Sequence, residues 1–207
     1  MAVHDHSSRR AGLRLPSRHS APASAASAAA RDSTESTTFA TVFAGVRILT
    51  GFVFLWAFLD KTFGWRYATP SGKGWIDGGS PTQGFLSGVA AGPLESTFHS
   101  MAGDAWVNWL FMLGLLAIGV AVMSGVALRF AAVAGTVMMA LMWAAEWPPA
   151  QHLSNGQPSM SSNPLVDYHV LYAAILIALA LGNAGRVWGL GRGWERMAIV
   201  RDNRWLS

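Results

Sequence analysis

The chain of 207 residues contains no cysteine. Disulfide relays, thiolate nucleophiles, persulfide carriers, iron–sulfur ligation and covalent haem attachment are therefore excluded. The sequence also lacks a GxGxxG or P-loop pattern, so it indicates no nucleotide site. His99 and His152 lie in connections and are too far apart for a recognisable zinc spacing, and three further histidines lie in the N-terminal tail. Only His169 falls inside a predicted span, so we expect neither a zinc site nor a bis-histidine haem.

Charged residues are scarce as well. They make up 13% of the chain, whereas 52% is hydrophobic, which is unusual for a soluble domain of this length. Long apolar runs predict four membrane spans, at residues 39–59, 106–123, 126–147 and 165–183. The first run would be about 31 Å long at 1.5 Å per residue, which matches a hydrocarbon core of roughly 30 Å. The predicted fold is all-α, an integral membrane four-helix bundle.

Arginines are concentrated in the two tails that flank the predicted membrane domain, residues 39–187. Because short cytoplasmic segments collect cations, we expect both termini to be cytoplasmic. Residues 1–38 lack a long apolar stretch and are predicted to be a disordered basic tail, and residues 188–207 a second basic tail. This charge favours contact with anionic lipid headgroups of the bilayer, and nucleic acid is not expected as a partner.

The long connection between the first two spans contains two predicted short helices. Ser80 has the form of an N-cap, followed by Pro81 and by Gln83, and Gly92 and Pro93 would then interrupt the helix. A second apolar stripe follows the interruption. We expect both helices to lie in the first outer loop, either flat on the membrane surface or packed over the mouth of the bundle.

Ionisable residues are predicted to converge on one membrane face, because the spans alternate in direction. They are Asp60, Lys61, Glu146, Asp167 and His169. Such residues are functional candidates by default. The alternative is structural: headgroup anchoring, a Lys61–Glu146 ion pair, or a hydrogen bond from His169 to a neighbouring helix. Because they are two positions apart, Asp167 and His169 are expected to point to different sides of their helix.

Two further features lie within the spans. Arg47 is deeper on the cytoplasmic side with no acid at its depth, so we expect carbonyl or Asn183 partners, or an anion, rather than a salt bridge. Tryptophans gather at the outer ends, as in an aromatic belt, although Trp56, Trp143 or Trp147 could flank a flat ring in the bundle mouth.

Four motifs in this order resemble the DoxX/DoxD family of small four-span bacterial membrane proteins. They are RxxxG at residues 47–51, LDKTFG at 59–64, GSPT and GFL at 79–86, and NPxxDxH at 163–169. The resemblance covers about residues 39–187. It implies a bacterial plasma-membrane protein like the large subunit of thiosulfate:quinone oxidoreductase, which joins two thiosulfates into tetrathionate and passes two electrons to quinone. It also implies a companion subunit, DoxA.

On this hypothesis the candidate residues take three roles. The proton carriers and catalytic candidates are His169, Asp167 and Glu146; the substrate-binding candidates are Lys61, Asp60, Arg66 and Arg47; the quinone-binding candidates are Trp56, Trp143 and Trp147. Quinone is expected as a diffusible co-substrate, without metal or haem.

Two other function classes remain open. One is a non-catalytic membrane scaffold that recruits soluble redox or sulfur enzymes through its arginine-rich tails. The other is a small-solute transporter, which would need to form a homo-oligomer and which shows no inverted repeat.

Overall fold

The structure, a computed structural model, describes residues 23–206. The chain divides into two compact units, residues 1–37 and 38–207. In the first unit, residues 23–37 are helical, where the sequence predicted a disordered tail; residues 1–22 of that predicted tail lie outside the described residues. Alanine, the strongest helix former, dominates residues 23–30 and accounts for the difference.

Helix α1 runs over Ala23–Phe63 and precedes a turn-rich connection. In this connection a single 3-10 turn, Trp75–Asp77, is followed by two short helices, α2 at Gln83–Ser87 and α3 at Glu95–Met101. The prediction of two short helices is therefore confirmed. Helix α2 begins three residues after Ser80, whose hydroxyl donates to Asn108 instead of capping the helix.

Two long apolar helices come next, α4 at Ala105–Ser124 and α5 at Leu128–Glu146. Within residues 23–206, three segments are long and apolar enough to cross a membrane: Thr34–Phe63, α4 and α5. Three large apolar side chains along α5 are more than half exposed: Val133 at 56%, Val137 at 55% and Leu141 at 53%. A helix that remains apolar on its exposed face is typical of contact with lipid.

The fourth predicted span is shorter than expected. Helix α6 covers Tyr168–Leu181, 14 residues, or about 21 Å at 1.5 Å per residue. Its start is delayed because Asp167 has an extended backbone and acts as the N-cap. Its end is fixed by Asn183, which adopts a left-handed conformation with φ of 47°.

Residues after α6 form compact turns rather than an extended tail. A 3-10 turn, Ala184–Arg186, leads to α7 at Gly191–Trp194, α8 at Ala198–Arg201 and a last 3-10 turn, Arg204–Leu206. The ring of Trp205 meets that of Phe130 edge-on, with 4.7 Å between centroids. The described part of the predicted basic tail is thus folded back onto the start of α5.

Helices α1, α4, α5 and α6 contribute to one buried core, which includes Phe54, Met112, Met139 and Leu176. A glycine allows α1 and α4 to approach closely. A β-carbon at Gly119 of α4 would lie 2.7 Å from the backbone nitrogen of Leu55, so α1 and α4 touch almost backbone to backbone. Among the described residues there is no β-strand, and the chain is all-helical.

A second cluster lies where the short helices meet the ends of α4 and α5. Leu86, Val89 and Phe98 pack there with Val107 and Ala145. Each short helix thus packs part of its apolar surface against the helix ends, as expected if the helices cover the mouth of the bundle, whereas Phe85 and Leu94 stay exposed.

Candidate functional site

Asp167 and His169 form a directly hydrogen-bonded pair at the start of α6. One carboxylate oxygen of Asp167 accepts from the backbone N–H groups of His169 and Val170, at 3.0 and 3.2 Å. The other oxygen lies 2.8 Å from Nδ1 of His169. The expectation that the two side chains point to different sides is wrong, because Asp167 precedes the helix and its side chain folds back over the first turn.

The imidazole of His169 is almost fully buried, with 1% of its surface exposed. Its Nδ1 is taken by Asp167, whereas its Nε2 has no hydrogen-bond partner among the described residues. When Nδ1–H donates to the carboxylate of Asp167, Nε2 of the neutral ring carries a free lone pair. A buried nitrogen without a partner is uncommon and marks a position where a ligand or a proton can bind.

Glu146 and Tyr168 complete the cluster. The hydroxyl of Tyr168 donates to Glu146 at 2.6 Å, and its ring lies against the ring of His169 with 4.0 Å between centroids. Glu146 is exposed at the end of α5. The structure therefore brings the three predicted catalytic residues together, and one ligand atom from each of Glu146, Asp167 and His169 lies within 4.8 Å of the others. This mixed nitrogen and oxygen set could also hold a divalent metal ion.

Asp60 is not part of this cluster in the described contacts. It is 2% exposed and accepts from the backbone N–H groups of Tyr67 and Ala68 at 3.3 and 3.0 Å. The carboxylate thus holds the turn that follows α1. Arg66 lies in that turn, exposed, with a left-handed φ of 72°.

Lys61 faces an apolar cavity of about 440 Å³ between the short helices, α4 and α5. Among the described residues that line this cavity, Lys61 alone is charged, and Trp56, Trp143 and Trp147 are not among them. The ion pairs between described residues do not include Lys61 with Glu146, although that pair was a structural alternative.

The three tryptophans predicted to flank quinone occupy two places. Trp56 packs against Trp65 and Tyr67, with ring centroids 5.4 and 5.1 Å away. Trp143 and Trp147 pack edge-to-face at 5.4 Å, and Trp143 donates to the carbonyl of Leu165 at 3.2 Å. Trp143 thus joins the end of α5 to the segment that precedes Asp167 and His169.

Arg47 is fully buried. It binds backbone carbonyls at the end of the helix bundle opposite to the Asp167–His169 pair. It donates to Val122 at 2.7 Å and to Met123 in the last turn of α4, and to Trp188 at 2.8 Å in the segment after α6. The expectation of carbonyl partners is confirmed, and Asn183 is not among the described acceptors. A cation at a helix C-terminus is stabilising, so the position of Arg47 indicates a structural role.

Three features of the site were not predicted. Tyr168 is the first residue of α6, and its only signal is that it follows an aspartate N-cap. The amide of Asn108 ties the first loop to α4, accepting from the backbone and hydroxyl of Thr82 at 3.1 and 2.7 Å. The cavity beside Lys61 depends on the approach of α4, α5 and the short helices, which the sequence does not specify.

Compared with protein-family models, curated proteins and solved structures, the chain matches none of them.

Proposed function

We propose that this chain is a four-span membrane protein that passes electrons from thiosulfate to a membrane quinone, as its resemblance to the DoxX/DoxD family implies. The observation that supports it best is the buried His169, whose Nδ1 is fixed by Asp167 and whose Nε2 is free. The balanced reaction joins two thiosulfates through a new sulfur–sulfur bond into tetrathionate. The two electrons released, with two protons, convert quinone to quinol.

The packing of α6 supports a four-span arrangement. This helix shares the core of α1, α4 and α5, and its Leu176 side chain lies where a β-carbon of Gly135 on α5 would be. In this proposal the non-helical residues 165–167 and 182–183 complete the span on either side of α6. An even number of spans puts both arginine-rich tails on one side of the membrane, in agreement with the distribution of positive charge.

In this proposal His169 donates a proton from Nε2 to a quinone oxygen. The carboxylate of Asp167 orients the ring and stabilises the protonated imidazole before transfer. Glu146 is exposed, and one of its carboxylate oxygens lies within 4.8 Å of a ring nitrogen of His169, so we assign to it the transfer of a replacement proton from water to the imidazole. Neither step needs a thiol, which the chain does not have.

Thiosulfate is a dianion and would be attracted by cations at the same end of the helices. Arg66 and Lys73 are both exposed in the connection after α1 and are the cations that we assign to this attraction. The resemblance to DoxD implies a companion subunit, and the assay is therefore run with this subunit present as well as without it.

The test is thiosulfate-dependent quinone reduction by the purified chain in lipid nanodiscs, with and without a DoxA-type subunit. His169→Ala should lower the rate about a hundredfold or more, the usual loss for a general acid. His152→Ala is the matched control, since His152 is an exposed loop histidine, and should leave the rate unchanged. Full activity of His169→Ala would overturn the proposed role.

A second candidate function, a scaffold for soluble redox or sulfur enzymes, is favoured by the C-terminal segment. Its arginines 186, 192, 196 and 201 are exposed on folded turns. Arg186 pairs with Glu195 at 2.8 Å, which raises the pKa of Arg186 and helps to fix the segment. A correctly folded protein without activity that co-purifies with a soluble enzyme, and loses it when these arginines become glutamines, would support this function.

A further inference from the structure

The apolar cavity beside Lys61 is a groove on the surface of the membrane-spanning helices. It runs along α4 from Trp106 to Ile118 and along α5 from Ala145 to Ala134. Several of its side chains are more than half exposed, including Leu110 at 65%. The groove is therefore open on the side where these helices would meet lipid.

The dimensions of the groove match one lipid leaflet. Trp106 and Ile118 are twelve positions apart, or about 18 Å along the helix axis. Half of a hydrocarbon core of about 30 Å is roughly 15 Å. Its volume of about 440 Å³ also falls within the usual range of ligand sites. An alkyl chain that lies parallel to the helices fits this shape.

Lys61 gives the groove its charge. It lies in the last turn of α1, and α1 runs antiparallel to α4, because Gly51 approaches Met123 and Leu55 approaches Gly119. The lysine thus comes from the same end of the helices as the start of α4. It is half-buried, and Asp60 beside it is already committed to the backbone N–H groups of the following turn.

This combination selects among ligands. A small inorganic dianion such as thiosulfate would have to lose water against apolar walls, which is costly when Lys61 is the one charged side chain among the described lining residues. A neutral quinone would bring no negative charge to the ammonium group, whose neighbouring carboxylate, Asp60, is already bound to two backbone N–H groups. An amphiphile that carries both a negative headgroup and an alkyl chain satisfies the lysine and the walls together.

The geometry points to a binding site for an anionic phospholipid, with its phosphate on Lys61 and an acyl chain in the groove between α4 and α5. The site is separate from the Asp167–His169 pair in its lining residues and does not rest on the proposed redox function. It assigns to Lys61 a lipid rather than the thiosulfate expected from the resemblance.

The experiment uses the full chain, purified in detergent and exposed to equal amounts of phosphatidylglycerol and phosphatidylcholine with the same acyl chains. Native mass spectrometry counts the lipids retained. We expect the wild type to retain more phosphatidylglycerol than phosphatidylcholine. In Lys61→Met the ratio of the two retained lipids should fall about fivefold, the usual effect of one lysine near anionic lipid. Lys61→Arg should keep it.

Two matched variants separate the effect of the lysine charge on lipid binding from the effect of the shape of the groove. Lys73→Met removes an exposed loop lysine that does not line the groove and should keep the lipid preference of the wild type. Ala134→Phe fills the groove from α5 without changing charge and should lower retention of both lipids. If Lys61→Met does not fold, Lys61→Arg and Ala134→Phe decide the question.

Several results would overturn the inference. They are equal retention of the two lipids by the wild type, unchanged preference in Lys61→Met, or undiminished retention in Ala134→Phe. A last measurement adds millimolar inorganic phosphate as a competitor. If phosphate removes the preference for phosphatidylglycerol without releasing lipid, Lys61 belongs to a site for free anions and the lipid site is ruled out.

Discussion

The guanidinium of Arg47 in α1 donates to the carbonyl of Trp188, 141 positions later in the chain, at 2.8 Å. The same side chain binds the last turn of α4 through the carbonyl of Val122 at 2.7 Å. One buried cation therefore connects α1, the end of α4 and the segment after α6, at the end of the helices opposite His169. Its acceptors are backbone groups, so its role does not depend on any particular acidic residue.

Replacement of this arginine should destabilise the fold. Arg47→Met leaves several buried carbonyls without donors, and each such group costs about 1–3 kcal/mol. We expect a loss of at least about 2 kcal/mol in the free energy of unfolding, measured by denaturant titration in mixed micelles. Arg66→Met, at an exposed turn, is the control and should change stability by less than about 0.5 kcal/mol.

Substitutions at Asp167 should separate capping from proton transfer. Asparagine is as good an N-cap as aspartate, so Asp167→Asn should keep stability within about 0.5 kcal/mol while quinone reduction falls, because a neutral amide does not stabilise the imidazolium. Asp167→Ala should lose both, with a cost of about 1 kcal/mol for the cap. Equal activity of Asp167→Asn and wild type would contradict the proposed pairing.

Close approach of α1 and α4 makes Gly119 sensitive to a single methyl group. Its β-carbon would meet the backbone of Leu55, which cannot move aside like a flexible side chain, so Gly119→Ala should cost about 1–3 kcal/mol. Gly45→Ala on α1 is the control, because nothing lies within 4 Å of its β-carbon. That variant should be neutral or more stable by up to about 1 kcal/mol. Thermal unfolding of the two variants side by side checks the difference.

The amide of Asn108 should matter for the first loop. Asn108→Ala leaves the buried backbone N–H and hydroxyl of Thr82 without their acceptor, at a cost of about 1–3 kcal/mol. Hydrogen exchange should rise in α2 and in the segment before it, whereas α6 should stay protected. Asn155→Ala, in an exposed turn, should leave both patterns unchanged.

Much of the helical architecture follows from the sequence because apolar runs of span length have few other stable structures. The bounds of α4 and α5 agree with the predicted second and third spans within two residues. The turn residues between the first two spans also predicted two short helices. The fourth span was harder, since Asp167 stops the helix from beginning at Leu165 although the apolar pattern starts there.

Side-chain contacts within the site could be predicted only in part. Alternation of span direction was enough to place Glu146, Asp167 and His169 at one end. It was not enough to pair Asp167 with His169, because that contact depends on a non-helical backbone at the N-cap. Lys61 was expected among polar groups, yet it lines an apolar groove whose walls come from α4, α5 and the short helices.

The most direct measurement is the simultaneous quantification of tetrathionate and quinol formed by the wild-type chain in nanodiscs supplied with thiosulfate, quinone and the companion subunit. The proposal predicts equal amounts of the two products, and loss of both in His169→Ala but not in His152→Ala. Quinol formation without tetrathionate, or tetrathionate formation that is indifferent to His169, would contradict it.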